Sequence, residues 1–368
     1  MKTIGLITAN YNSDNFGSLT DNRPISSLPF GGRYRLLDFV LSNMVNSGIT
    51  KVGVITPYNT ASVIDHIGSG KPWSLDRKKD GLFLMPGSVY GIHSAGSRFL
   101  FRDIIEHKSF LDKSDADYVI IASSSDVYNM DYNDLIKKHD QNGSEVTILY
   151  KKVALDAGHN GYYLDINDKT GAVKGIYDYA PAGPANYFMD CMIVNRSFLL
   201  DCIKWFAQLE YKDFIEIITD NIDKFSVGSY EFKGYLGKIN NINDYLKVSR
   251  DIKDYGIRNE LFHTDRTIIT KVQDDAPVLY KGTGTSKNSI IGAGCKIEGN
   301  VDGSTIFRSC KIGKNSVIKN SVVMMYCEIG EGAVLENVIC DKNCEISAGA
   351  KVIGSPENPV VLSKGSIV

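Results

Sequence analysis

The chain has 368 residues, of which 43% are hydrophobic and 23% charged, with a formal net charge of −2. That length supports two domains, each with its own core. The balance speaks against a disordered chain, a nucleic-acid partner or an anionic membrane surface. No run of about 20 apolar residues is present, so no membrane-spanning helix is expected. The opening MKTIGLI lacks the long apolar stretch and cleavage site of a signal peptide, and the expected compartment is the cytoplasm.

Taken in chain order, residues 3–8 read as a buried first strand and residues 25–32 as a loop. Leu36, Leu37, Phe39, Val40, Leu41 and Val45 form a helical stripe over 35–47 that stops at Gly48. Residues 51–56 and 118–122 are two more strands, the second followed by a polar loop at 123–126, and 145–151 is a further strand. Strands alternating with helices predict an α/β domain with a mainly parallel, doubly wound sheet. Ligands of such sheets bind at the carboxyl ends of the strands, so chemistry is expected in the loops after Thr8 and Ala122.

From about residue 268 the helical period ends and Gly, Asn, Ser, Val and Ile take over. Aliphatic residues recur in steps of six at Ile306, Ile312 and Ile318, then at Val323, Ile329 and Leu335. Cys340, Ile346 and Val352 follow, so the unit repeats every 17 residues. Cys310, Cys327 and Cys344 occupy one small-residue column, and Ser316, Ala333 and Ala350 another. Ile291, Cys295 and Ile297 begin the pattern less regularly. A period of 17 with three short sides predicts a triangular parallel β-helix of hexapeptides, left-handed, with aliphatic residues at the prism corners. The domains are expected at residues 1–260 and 275–368.

The seven cysteines form no CxxC pair, and the six histidines form no HExxH or zinc-spaced cluster. No metal site is expected, and the cysteine column reads as small buried hydrophobes stacked coil on coil.

Several stretches resemble the glucose-1-phosphate adenylyltransferase (ADP-glucose pyrophosphorylase) family. PFGGRYRLLDF at 29–39 is similar to the family's PFGGKYRIIDF, and LSN at 41–43 and NSGI at 46–49 continue the match. HIGSG at 66–70 with WSLDR at 73–77 resembles HIGxGxxWDLDR, and YNMDY at 128–132 resembles YKMDY. The resemblance covers almost the whole chain. It implies a Rossmann-like nucleotidyltransferase domain, a mainly parallel mixed sheet, followed by a hexapeptide β-helix.

The family's catalytic positions differ here. Its glycine-rich AGGxGTRL loop matches residues 9–16, where the glycines become Asn10, Tyr11 and Ser13 and the arginine becomes Asn15. Such a loop needs glycine so that backbone N–H groups approach phosphate, and a cation to face it. Asp14 would repel the anion instead, and Tyr11 and Phe16 are expected to plug the nucleotide pocket. The family's phosphate-facing lysine matches Ile25. Its two Mg²⁺ aspartates match Ser125 and Lys238, with Asp126 one step late and expected to point to the other side. The sugar-phosphate motif EKP falls near 177–181, which lacks both the Glu and the Lys.

Nucleotidyl transfer relies on metal and cation stabilisation of transition-state charge. The joint losses imply the GlgD-type regulatory subunit of glycogen synthesis. That resemblance implies no cofactor of its own, with Mg²⁺ in a catalytic glucose-1-phosphate adenylyltransferase partner and assembly as a heterotetramer. Arg33 and Arg35 are the implied contacts for a phosphorylated small-molecule effector; the bland alternative is that they pair with surface carboxylates or cap the helix. His66, Trp73, Asp76 and Arg77 are expected to brace a loop. Two other functions stand beside this one. A divergent but active nucleotidylyltransferase would still bind ATP. A hexapeptide acyltransferase would need a histidine between coils, and the last histidine is His263.

Overall fold

The computed structural model describes residues 1–9, 14–56, 60–87, 98–154, 161–179, 181 and 183–368. Asn10, Tyr11 and Ser13 lie outside the described residues.

The first part is built on one mixed sheet. Its main strands run in the order 227–231, 146–153, 185–195, 118–123, 3–8, 51–56 and 81–86. Thr3–Thr8 pairs in parallel with Lys51–Thr56 and with Tyr118–Ser123. Ala185–Asn195 runs antiparallel between Tyr118–Ser123 and Val146–Val153. Alternate residues feed two cores: Val119 and Ile121 face one cluster, Ile120 and Ala122 the other. Burial on both faces explains why these strands read as continuous apolar runs. The helical stripe forms Leu36–Asn46, with Asp38 in its first turn accepting the N–H of Arg35 at 2.9 Å.

The second part is a triangular parallel β-helix with three five-stranded faces. The first face stacks strands 279–280, 296–297, 311–312, 328–329 and 345–346. The second begins at 285–287 and the third at 290–291. The inward aliphatics sit on the strands, as Ile312 does in Lys311–Ile312, and not at the corners as the spacing had suggested. Corners need left-handed backbone, which a β-branched residue resists. Asn288, Asn320 and Asn337 fill one such corner column at φ 51°, 47° and 52°, because a short amide tolerates that region. The first turns look irregular in sequence because Ile297 pairs with Ile312 fifteen residues on, whereas Ile312 pairs with Ile329 seventeen on. The cysteines are buried and free, and Cys310 Sγ donates to Met324 O at 3.1 Å in the next coil.

The two parts share a core. Phe16, Leu19, Leu28, Phe30 and Phe39 join Tyr245, Leu246 and Ile252 in one cluster with Phe307, Val322, Met324 and Ile339 of the β-helix. Gly32, at φ 81°, lies against the β-helix: a Cβ there would lie 3.0 Å from Ile290 Cγ2. Arg23 and Asp341 form a buried ion pair across the seam.

Candidate functional site

At the carboxyl end of Tyr118–Ser123 the chain leaves the sheet, and Val127 and Gly237 then exchange backbone hydrogen bonds of 2.9 and 2.8 Å. This bridge places Asp126 beside Lys238. Lys238 Nζ lies 3.1 Å from Asp126 Oδ2 and also binds Asp190 Oδ2. Arg98 completes the group, with Nη1 2.5 Å from Asp190 Oδ2 and 3.0 Å from Ser125 Oγ, and its other arm on Asn240. Two cations and two carboxylates, all buried, make a cluster that is formally neutral among the described residues.

Each member is held from behind. Asp213 caps the helix Phe214–Asp220 and also accepts the backbone N–H groups of Arg98 and Phe99 at 2.8 and 3.0 Å. Asp190 sits at a register break of its strand, between Phe188 and Met192, with φ 47°. A left-handed aspartate is strained by roughly 1–2 kcal/mol, and here the bulge turns the carboxylate to the cations. The ring of Tyr187 lies 5.3 Å from Lys238 Nζ.

The electrostatics follow from burial. Desolvation raises the Asp126 carboxyl above its ordinary value; Lys238 pulls it down, Asp190 pushes it further up and Arg98 lowers it again. Burial and Arg98 press the Lys238 ammonium towards losing its proton, but Asp126 and Asp190 outweigh them and its pKa stays above the usual lysine value. The donor set does not fit Mg²⁺. A divalent cation needs several oxygen ligands, and here an ammonium already stands between the two carboxylates that could supply them. Among the described residues no group of three or more His, Cys, Asp or Glu is placed to share a metal.

One expectation is corrected. Asp126 does not point away: it faces the same cluster as Ser125, because strand alternation ends at Ser123 and the Val127–Gly237 bridge turns it inward. Arg98 and Asp190 were not foreseen. The available signal was a lone carboxylate inside the apolar strand ANYFMDCMIVN, since a charge is seldom fully buried without a partner.

Ile25 occupies a short turn, Ile25–Ser27, and is buried in the same apolar cluster as Phe16. Phe16 fills space within Asp14–Thr20, whereas the side chain of Asn15 is exposed. Tyr177 and Tyr179 pack on each other with centroids 5.4 Å apart and are exposed.

A second locus is the seam between the two parts, where a cleft of about 450 Å³ is lined by Arg33, Arg35, Lys271 and Arg308 against Asp65 and Asp275. Four cationic and two acidic side chains leave it net positive. Arg35 is buried, which lowers its pKa despite Asp38 and Asp65; its Nη1 donates to Ser62 O at 2.6 Å and its Nη2 lies 3.6 Å from Asp65. Arg33 is exposed, its guanidinium 5.4 Å from the Tyr34 ring. Arg308 donates to Gln273 at 2.7 Å and lies 3.4 Å from Asp275. His66 backs this cleft, 2.5 Å from Asp38 Oδ1 and edge-on to Trp73. Asp76 and Arg77 are exposed, and Arg77 Nε donates to Ser74 O at 2.7 Å.

Comparison with known proteins agrees with this architecture. The family Nucleotidyl transferase matches residues 15–177, and the family GlmU-like, C-terminal hexapeptide matches residues 276–358. The chain is 31% identical to the Glycogen biosynthesis protein GlgD of Bacillus subtilis (strain 168) over 364 residues, 99% of this chain and 96% of the relative. It is 34% identical to the Glycogen biosynthesis protein GlgD of Geobacillus stearothermophilus over 317 residues, 86% and 83% of the two chains. A Glucose-1-phosphate adenylyltransferase of Mycoplasma mobile is 31% identical over 328 residues, 86% and 84% of the two.

Proposed function

This chain belongs to the glucose-1-phosphate adenylyltransferase family, on its GlgD branch, and from that premise we propose that it is a non-catalytic regulatory subunit. It modulates a catalytic glucose-1-phosphate adenylyltransferase in glycogen biosynthesis, within a heterotetramer in the cytoplasm. The observation that carries this reading is the Lys238 ammonium between Asp126 and Asp190. A cation built into the place of a metal removes the charge stabilisation that nucleotidyl transfer requires. Ile25 and Asn15 leave the phosphate side without its cations as well. The chain needs no cofactor of its own, and Mg²⁺ acts in the partner.

The positive cleft at the seam is the regulatory site in this reading. Arg33, Arg35 and Arg308 offer guanidinium donors suited to the oxygens of a phosphorylated small molecule. A ligand there touches both parts of the chain and can bias how they sit.

The test is to add the purified chain to a catalytic glucose-1-phosphate adenylyltransferase from the same source. Co-elution with a changed rate or effector response is expected. Separate elution with unchanged kinetics would refute the regulatory assignment.

A further inference from the structure

The third β-helix face packs against the first part of the chain, and a cleft opens at each of its two edges. The cleft already described holds Gly292 and Arg308, which follow strands of this face. The second cleft lies at the corner that precedes those strands. It is a groove of about 460 Å³ lined by Arg250, Lys253, Asp254, Tyr255, Asn288 and Asn320.

Arg250 and Lys253 come from the end of the helix Ile242–Asp251 and the turn after it, and both are half-buried. Arg250 Nη2 donates to Asn337 Oδ1 at 3.1 Å, and the Lys253 ammonium donates to Gly303 O. Both acceptors are neutral. Among the described residues neither cation forms an ion pair with a carboxylate, and Arg250 Nε is buried with no acceptor. Elsewhere along this seam Arg23 is matched by Asp341, Arg35 by Asp65 and Arg308 by Asp275. The acids near the groove are turned to other work. Asp251 accepts the Tyr235 hydroxyl at 2.8 Å, Asp254 caps the helix Tyr255–Phe262 through the Ile257 N–H at 3.0 Å, and Asp302 is exposed. Half-buried cations beside each other without a counter-charge are costly, and a bound anion relieves that cost.

We propose that this groove binds the phosphate group of a small molecule, at a site separate from the cleft of Arg33, Arg35 and Arg308. Arg250 and Lys253 supply charge-assisted donors to its oxygens. The side-chain amides of Asn288 and Asn320 are exposed and have no hydrogen-bond partner among the described residues, so they are available to the same ligand. Tyr255 is 70% exposed and offers its ring to the rest of the molecule. The ligand is held from both parts, by the two cations of the first and the corner amides of the second. Burial and Arg250 lower the Lys253 pKa to about 8, against the pull of Asp302 and Asp251. Affinity is therefore full below that pH and falls as the lysine loses its proton above it. The site needs no partner chain and does not rest on the regulatory assignment.

The experiment is equilibrium dialysis of the full chain against radiolabelled sulfate, a tetrahedral anion whose charge does not change between pH 7 and 9.5. Arg33→Ala with Arg308→Ala removes two donors of the other cleft and serves as the background. In that background sulfate is expected to bind at about pH 7 and at least about fivefold more weakly at about pH 9.5. Adding Lys253→Met should abolish the binding. Adding Lys253→Arg instead should keep it and make it independent of pH, because a guanidinium does not titrate in this range; its binding also shows that loss in Lys253→Met is not misfolding. Inorganic phosphate and glycerol 3-phosphate should each displace the sulfate, and the stronger of the two tells whether the free ion or an ester is preferred. Three results would overturn the proposal: no sulfate bound in the background variant, binding untouched by Lys253→Met, or displacement by neither phosphate. A fall with pH that persists in Lys253→Arg would also overturn it, by assigning the anion to another group.

Discussion

Lys238 Nζ lies 3.1 Å from Asp126 Oδ2, with each side chain 1% exposed. The same ammonium binds Asp190, so one lysine neutralises two buried carboxylates that Arg98 alone could not. Lys238→Met should cost about 3–5 kcal/mol, the usual result of stranding a buried charge. Adding Asp126→Asn, which leaves Arg98 paired with Asp190, should recover most of that loss. Urea unfolding of the three proteins measures it; a cost below about 1 kcal/mol for Lys238→Met would mean the cluster is solvated.

Replacing the lysine with a carboxylate has a distinct consequence. Lys238→Asp sets a third acid beside Asp126 and Asp190 with Arg98 as the remaining cation of the cluster. This variant, alone or with Ser125→Asp, should melt higher with Mg²⁺ than without, by several degrees, since a cation that binds only the folded state stabilises it. It should still form no ADP-glucose, because metal binding and substrate positioning act as a unit. Restoring turnover should further require Ile25→Lys and a glycine-rich, arginine-bearing loop over residues 10–16. Substantial activity from Ser125→Asp alone would contradict this.

At the seam, inorganic phosphate and a sugar bisphosphate should raise the melting temperature of the wild type. Arg33→Ala and Arg308→Ala should each weaken that binding by about tenfold, the worth of one charge-assisted hydrogen bond. Isothermal titration reads the change directly. Equal affinities in all three proteins would remove the anion from the cleft.

Lys253 gives a pH-dependent prediction. Its ammonium donates to Gly303 O, and burial, with Arg250 adding to it, lowers its pKa to about 8, while Asp302 and Asp251 oppose the shift. The unfolded chain keeps a lysine pKa near 10.4, so between pH 8 and 10 the unfolded state binds more protons and stability rises with pH. Wild type should therefore gain on Lys253→Met as pH goes from about 7.5 to about 9.5. Parallel urea midpoints across that range would show that Lys253 titrates as a solvated lysine.

Much of the fold was legible because its signals are periodic. The strands at 3–8 and 51–56 and the helix 36–46 match their apolar patterns, and seventeen-residue spacing identified the coils. The strand 185–195 was not legible: Asp190 interrupts its apolar run, and the bulge there breaks the alternation. The substituted positions at Ser125 and Lys238 were readable residue by residue. Their meeting with Arg98 and Asp190 was not, because those residues stand far apart in sequence and are brought together by the pairing of strands 118–123 and 185–195, the Val127–Gly237 bridge and the Asp213 cap. The orientation of Asp126 failed for a related reason, since strand periodicity was carried past the point where the strand ends.

The central claim is that this chain does not itself catalyse nucleotidyl transfer. ADP-glucose formation from ATP and glucose 1-phosphate with Mg²⁺ should be measured on chain purified free of any catalytic subunit. The expected result is no turnover above the protein-free control, with or without phosphorylated effectors. A robust Mg²⁺-dependent rate, abolished by changes at Asp126 or Asp190, would contradict it and return the chain to the working enzymes of its family.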